Sequence, residues 1–231
     1  MDVHEVLAAL ARERPAFHRD GAGEDVSWPA SPALLELLAA HAGTGSTTLE
    51  TGAGWSTAVL VATGARHTSI SPAQHEPERI EDWCAVHEVP TDQWRHLLGG
   101  SADVLPRVET PPLDLLLIDG DHAFPLPAID WYYGTRHLRE GGLVIVDDLQ
   151  LWPCRIVADF LHGDDGWERA VAGDRFAVFR ALAPGSELTS RWWGEQPYVI
   201  QRGDGLSPVS RAIRGVRTRT RIRRRLWPGR R

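Results

Sequence analysis

Apolar and polar positions alternate in blocks through most of the chain. Short apolar runs, such as Leu115-Leu116-Leu117-Ile118 and Leu143-Val144-Ile145-Val146, are separated by longer stretches with a helical spacing. Apolar runs of this length without internal alternation suit strands covered on both faces. The pattern predicts strands at 47–50, 67–70, 94–98, 113–118 and 143–146, with helices at 56–62, 77–86, 102–108 and 127–138 between them. Strand–helix alternation of this kind builds a parallel, doubly wound α/β sheet. After residue 150 the rhythm changes. A helix at 155–161 precedes two β-rich runs, 167–171 and 175–180, around Gly173-Asp174. These predict an antiparallel hairpin. Upstream, 3–12 reads as a short amphipathic helix and 21–32 as a loop rich in Gly, Pro and Ser. Ser31-Pro32 opens a second helix, with serine as its cap and proline in its first turn.

Composition narrows this picture only in part. The 231 residues suffice for one large domain with small additions. We divide them into an N-terminal helical segment (1–44), a core (45–182), an extension (183–210) and an Arg-rich tail (211–231). No apolar run approaches the roughly 18 residues of a membrane span. The N-terminus is acidic where a secretory leader is basic, so the expectation is a cytoplasmic protein. Cys84 and Cys154 match no zinc spacing and read as reduced, buried residues. All 25 basic residues are arginine, which reads as genome composition. Ten of them fall within 211–231, where there is no acid; the remaining fifteen face 31 Asp and Glu. The sequence thus joins an acidic body to a basic tail. The tail reads as a flexible end with an acidic partner. Nucleic acid ranks lower, because the body has no obvious basic groove.

The polar clusters sit where chemistry is expected. In open α/β sheets, ligands bind outside the carboxyl ends of the strands. There the first core strand runs into Glu50-Thr51-Gly52-Ala53-Gly54-Trp55-Ser56, a glycine turn opening a helix. Glycines let the backbone approach a ligand, and the N–H groups of the helix start attract its negative group. A dinucleotide fingerprint would need a third glycine where Thr57 stands, and an acid at the end of the second strand, which instead reads Ile70-Ser71-Pro72. A phosphate-binding loop would need a lysine. Further on, Asp119-Gly120-Asp121-His122 and Asp147-Asp148 end two more strands. Carboxylates gathered together need a cation or a proton. Oxygen-rich clusters suit Mg²⁺, Mn²⁺ or Ca²⁺. Neighbouring strand residues point to opposite faces, so Asp147 and Asp148 share one metal only if the strand has ended before them.

These motifs resemble the class I S-adenosylmethionine-dependent methyltransferases over roughly residues 45–180. Within that class the chain is most similar to metal-dependent O-methyltransferases of the catechol and macrocin types. The resemblance implies a Rossmann-like, doubly wound, mostly parallel seven-stranded sheet with a C-terminal antiparallel hairpin. It implies S-adenosylmethionine as cofactor, with Mg²⁺ or Mn²⁺, and a small hydroxylated acceptor such as a sugar or a phenol of specialised metabolism. The cofactor would lie against Glu50, Thr51, Gly52, Ala53, Gly54, Ser56, Ser71, Ser101 and Asp119. Asp119, Asp147 and Asp148 match the metal ligands, and Asp121 or His122 the catalytic base. Ser71 stands where the family has its ribose-holding acid; Glu76, a few residues on, is the candidate substitute. Trp131-Tyr132-Tyr133, Trp192-Trp193 and above all Trp152 are candidates to line the acceptor pocket, with core packing as the alternative for each. The rival readings are a methyltransferase of RNA or protein, and a non-catalytic protein of this fold that binds an anionic partner through its tail. Homo-oligomerisation is left open.

Overall fold

The computed structural model describes residues 1–173, 175–192 and 196. The chain divides into Met1–Ser190 and Arg191–Arg231. The Arg-rich tail, Trp193 and Asp174 lie outside the described residues.

Met1–Ser190 begins with α1 (Val3–Glu13), which Asp2 caps by accepting the backbone N–H groups of His4 and Glu5. A small antiparallel hairpin follows, β1 (His18–Arg19) with β2 (Asp25–Val26), and then α2 (Pro32–His41). The core consists of β3 (Thr47–Thr51), α3 (Trp55–Ala62), β4 (Arg66–Ser71), α4 (His75–Val86), β5 (Trp94–Leu98), α5 (Ser101–Val104), β6 (Leu113–Ile118), α6 (Leu126–Thr135) and β7 (Leu138–Val146). It closes with α7 (Trp152–Gly163), β8 (Trp167–Ala172), β9 (Ala177–Ala181) and α8 (Gly185–Leu188). Seven strands form one sheet in the order β5-β4-β3-β6-β7-β9-β8. The first five are mutually parallel, and β9 runs antiparallel to both β7 and β8. The expected sheet, its parallel body and its terminal hairpin are all present.

Strand parity separates two cores. Leu115, Leu117, Leu143, Ile145 and Val178 pack with α1 to α4 on one face. Leu49, Leu116, Ile118, Val144, Val146 and Phe179 pack with α7 and the segment after α5 on the other. This explains the unbroken apolar runs of β6 and β7, since each residue of those runs meets a helix layer. No helix among the described residues is long and apolar enough to cross a membrane.

Three local expectations are corrected. The helix expected at 102–108 is one turn of α-helix, continued as a 3-10 turn at Leu105–Arg107. Pro106 has no N–H to offer the α-helical ladder. The helix expected to reach residue 138 stops at Thr135, and Leu138 instead opens β7 beside Leu113. The loop assigned to 21–32 contains β2. Its turn is closed by Asp20, which accepts from the N–H groups of Ala22 and Glu24.

Candidate active site

The strand order reverses between β3 and β6, and their carboxyl-end loops meet there. Gly52 has φ +99°, and any side chain on it would run into the Asp119 carbonyl. Gly120 in turn packs on Thr51, where a side chain would meet Thr51 Cβ at 3.2 Å. The Asp119 N–H donates to the Thr51 carbonyl (3.2 Å) and the Gly52 N–H to that of Ile70 (2.8 Å). Backbone lies directly on backbone at this seam, a geometry that only glycine permits.

Behind the turn stands a buried polar relay. The Gly54 N–H donates to Thr57 Oγ1 (2.9 Å), and the Thr57 hydroxyl donates to Glu50. Glu50 is fully buried; its Oε1 also meets His67 Nε2 at 3.1 Å, and His67 Nδ1 meets the Thr48 hydroxyl at 2.8 Å. Glu50 therefore organises the turn from beneath. Thr57 and His67 complete the relay, and only their place in the fold identifies them. Ala53 and Ser56 are buried within the turn and first helical turn. No side chain caps α3, so its first N–H groups are left for a ligand's negative group.

Across the seam, the ligand atoms of Asp119, His122 and Asp148 lie within 4.8 Å of one another. The strand has indeed ended: β7 stops at Val146, the Asp147 N–H donates to the Ile118 carbonyl (3.1 Å), and Asp148 is left-handed at φ +52°. That turn sends the two carboxylates apart. Asp148 meets His122 Nε2 at 2.9 Å and accepts from Arg175 (2.7 Å) and Gln150 (2.5 Å). Asp147 is buried, and its Oδ1 has no hydrogen-bond partner. Asp121 is exposed and accepts from the Ala123 N–H (2.8 Å), a local turn contact. His122 reaches inward, with Nδ1 3.5 Å from Cys154 Sγ.

The carboxylates at this edge are buried and crowd one another. Burial, then the charges of Asp147 and Asp148, push the Asp119 carboxyl well above the ordinary range. Burial likewise raises Asp147. Asp148 is held well below the ordinary range, first by its bond to His122. That bond and the Cys154 contact raise His122 to about 10.

Two further groups line the edge. Asp130 on α6 is fully buried, and burial pushes its carboxyl up to about 6. The hydroxyls of Ser101 and Thr51 are close enough to favour its charged form, but neither makes a hydrogen bond of normal geometry with it. Ser71 ends β4 buried, and Glu76 reaches back towards it from α4. Burial alone would raise Glu76; its hydrogen bond with His18 (2.9 Å) and the nearness of the Ser71 hydroxyl, which makes no hydrogen bond of normal geometry, outweigh it and hold the carboxyl below the ordinary range.

Residues 49–149 match the sequence profile of a family described as a methyltransferase domain. The matched stretch carries the glycine turn and both acidic loops. Solved methyltransferases share its fold at low identity. Cofactor-bound Rv0187 from MTB superposes with a TM-score of 0.62 at 20% identity, over 78% of this chain and 90% of that one. The O-methyltransferase TomG from Streptomyces achromogenes, involved in tomaymycin synthesis and solved with S-adenosylmethionine, gives 0.55 at 16% identity over 78% and 89%. An O-methyltransferase from Bacillus cereus, solved with S-adenosylhomocysteine, gives 0.53 at 16% over 78% and 90%. No curated protein sequence matches the chain. The residues present would fit S-adenosylmethionine: the glycine turn admits close approach, and no side chain caps the start of α3, where a ligand's carboxylate could be met.

Proposed function

We propose that this protein is a class I S-adenosylmethionine-dependent methyltransferase acting on a hydroxyl oxygen of a small acceptor, at the Asp119–His122–Asp148 cluster, with a divalent metal. The observation that carries the reading is the convergence of these three side chains beside the glycine turn, with Asp119 driven up by burial and by the charges of Asp147 and Asp148. The donor set fits Mg²⁺ or Mn²⁺; the imidazole leans towards Mn²⁺. Asp119, His122 and Asp148 would hold it, with Asp147 behind them. When bound, such a metal lowers the pKa of a hydroxyl it touches.

The chain's own residues supply positioning and proton transfer. Methyl transfer from a sulfonium is an in-line displacement, so alignment of donor and acceptor supplies much of the rate. The seam of Gly52, Asp119 and Gly120 sets the donor's cradle against the acceptor's cluster. His122, raised to about 10, carries a proton at neutral pH and orients Asp148; it would ligate a metal, or accept the acceptor's proton as base, only after giving up the proton it holds. At the rim, Phe124 and Trp152 are 64% and 66% exposed with ring centroids 5.9 Å apart, an apolar platform for a flat acceptor.

The test is methyl transfer from S-adenosylmethionine to a panel of catechols, phenols and hydroxylated sugars, with Mn²⁺, Mg²⁺ or EDTA. Metal-stimulated transfer to oxygen, lost in Asp148→Ala, is expected. Turnover equal in EDTA would remove the metal from the reading, and transfer only to RNA or protein would overturn the acceptor class.

A further inference from the structure

One line of contacts runs across the acceptor's edge of the cluster. Phe124 and Trp152 stand two residues from His122 and Cys154, so the ring pair flanks the contact between His122 Nδ1 and Cys154 Sγ. His122 Nε2 meets one oxygen of Asp148 (2.9 Å), and the other oxygen accepts from Arg175 (2.7 Å). Rings, imidazole, carboxylate and guanidinium thus follow one another. The Arg175 side chain is 55% exposed.

Leu149 brings a second guanidinium to the same turn. Its N–H donates to the Arg175 carbonyl (2.7 Å), and its carbonyl accepts from Arg155 Nε (3.0 Å). On α7, Arg155 follows Trp152 by three positions, a spacing that makes side chains neighbours on a helix surface. The two arginines differ in what they already hold. Arg175 spends one N–H on Asp148 and keeps the rest of its fork. Arg155 pairs with no carboxylate among the described residues; a backbone carbonyl fixes it by Nε and leaves its other N–H groups unused.

This arrangement selects the ligand chemistry. The body of the chain is acidic, and the cluster's own carboxylates repel an acid that meets no cation. Neutralising Asp148 takes one guanidinium and gives no role to a second, pinned and unpaired. Planar guanidinium forks match a carboxylate, which takes their N–H groups in pairs. The exposed rings suit a flat, apolar body.

We propose that the acceptor is an aromatic hydroxy acid, with its ring on Phe124 and Trp152, its hydroxyl at the cluster and its carboxylate held by Arg175 and Arg155. The two arginines determine specificity. The assignment rests on the methyl-transfer reading and names the substrate class within it. The methyl group passes from the sulfonium to the phenolic oxygen, which gives up its proton; the sulfonium becomes a thioether, and the acceptor's carboxylate is unchanged.

The full chain is assayed with S-adenosylmethionine and Mg²⁺ or Mn²⁺ on matched acceptors: 2,3- and 3,4-dihydroxybenzoate, and the two corresponding dihydroxybenzamides, which keep ring and hydroxyls without the charge. In at least one pair kcat/KM should favour the acid by about 10- to 100-fold, chiefly through KM, the scale of hydrogen bonds to a charged group. Arg155→Gln should lose part of this preference and Arg175→Gln most of it, and Arg175→Lys, which keeps the charge, should recover part. In the double glutamine variant, acid and amide should be used within about threefold of each other. A merely structural role would slow both equally and leave the ratio unchanged. The ratio is taken within each variant, so a loss of metal or stability common to both acceptors cancels; if Arg175→Gln fails to fold, Arg155→Gln carries the comparison. Equal use of acid and amide by wild type, transfer confined to neutral acceptors, or a preference untouched by these variants would overturn the assignment and leave O-methylation standing. Absence of transfer to any hydroxyl acceptor would overturn both.

Discussion

Asp130→Asn should stabilise this protein at neutral pH, although it alters a fully buried residue. Burial moves the Asp130 carboxyl from 3.8 to about 6. The folded chain therefore binds that proton more tightly than the unfolded chain does. Stability from this group is full below 3.8 and is lost as pH rises towards 6. At about 1.36 kcal/mol per pKa unit, the ionised carboxyl costs roughly 3 kcal/mol at pH 7.5 as an upper bound. Asparagine has nearly the same shape, carries no charge and can donate to the Thr51 and Ser101 hydroxyls. The measurement is urea unfolding of both proteins at pH 4.0, 5.5 and 7.5. Near pH 4 the two should agree within about 0.5 kcal/mol. At pH 7.5 the asparagine form should lead by roughly 1–3 kcal/mol, or about 2–12 °C in melting temperature. A difference that does not change with pH would refute the argument, because it would show that the native protein does not hold an ionised, poorly solvated Asp130.

Two further substitutions probe the seam and the rim. Gly52→Ala places a methyl group against the Asp119 carbonyl at a left-handed position; it should destabilise by about 2–4 kcal/mol and weaken S-adenosylhomocysteine binding at least tenfold, both measured on one preparation. Trp152→Ala removes an exposed ring from the platform; it should raise the acceptor KM about 3- to 10-fold with kcat, cofactor affinity and melting temperature nearly unchanged.

Legibility from sequence followed the range of the interactions involved. The apolar runs of β6 and β7 announce strands because burial on two faces imprints every residue. The glycine turn and the acidic loops are equally visible, since each is a local motif at a strand end. Relations between distant segments were not visible. Glu50 reads either as the organiser of its turn or as a cofactor contact, and only the fold, which turns its carboxylate inward to Thr57 and His67, favours the first. Asp147 and Asp148 read as a matched pair, whereas the left-handed residue 148 sends one to His122 and Arg175 and leaves the other buried. The hairpin β1–β2 escaped notice because two-residue strands carry no periodicity. Its placement depends on Arg79, more than fifty residues downstream. Asp130 carries no local signal, because its isolation comes from strands and helices packed around it.

The contact between Gly52, Asp119 and Gly120 also bears on how such an enzyme diversifies. On the proposed function, the half that would grip the methyl donor and the half that would receive the acceptor touch there mainly through main chain, with the Thr51 side chain against Gly120. Substitutions at Phe124 or Trp152 can thus reshape what enters one half without propagating into the other. A mutational lineage exploring new acceptors would keep its grip on the donor at every step, and selection could act on substrate choice alone.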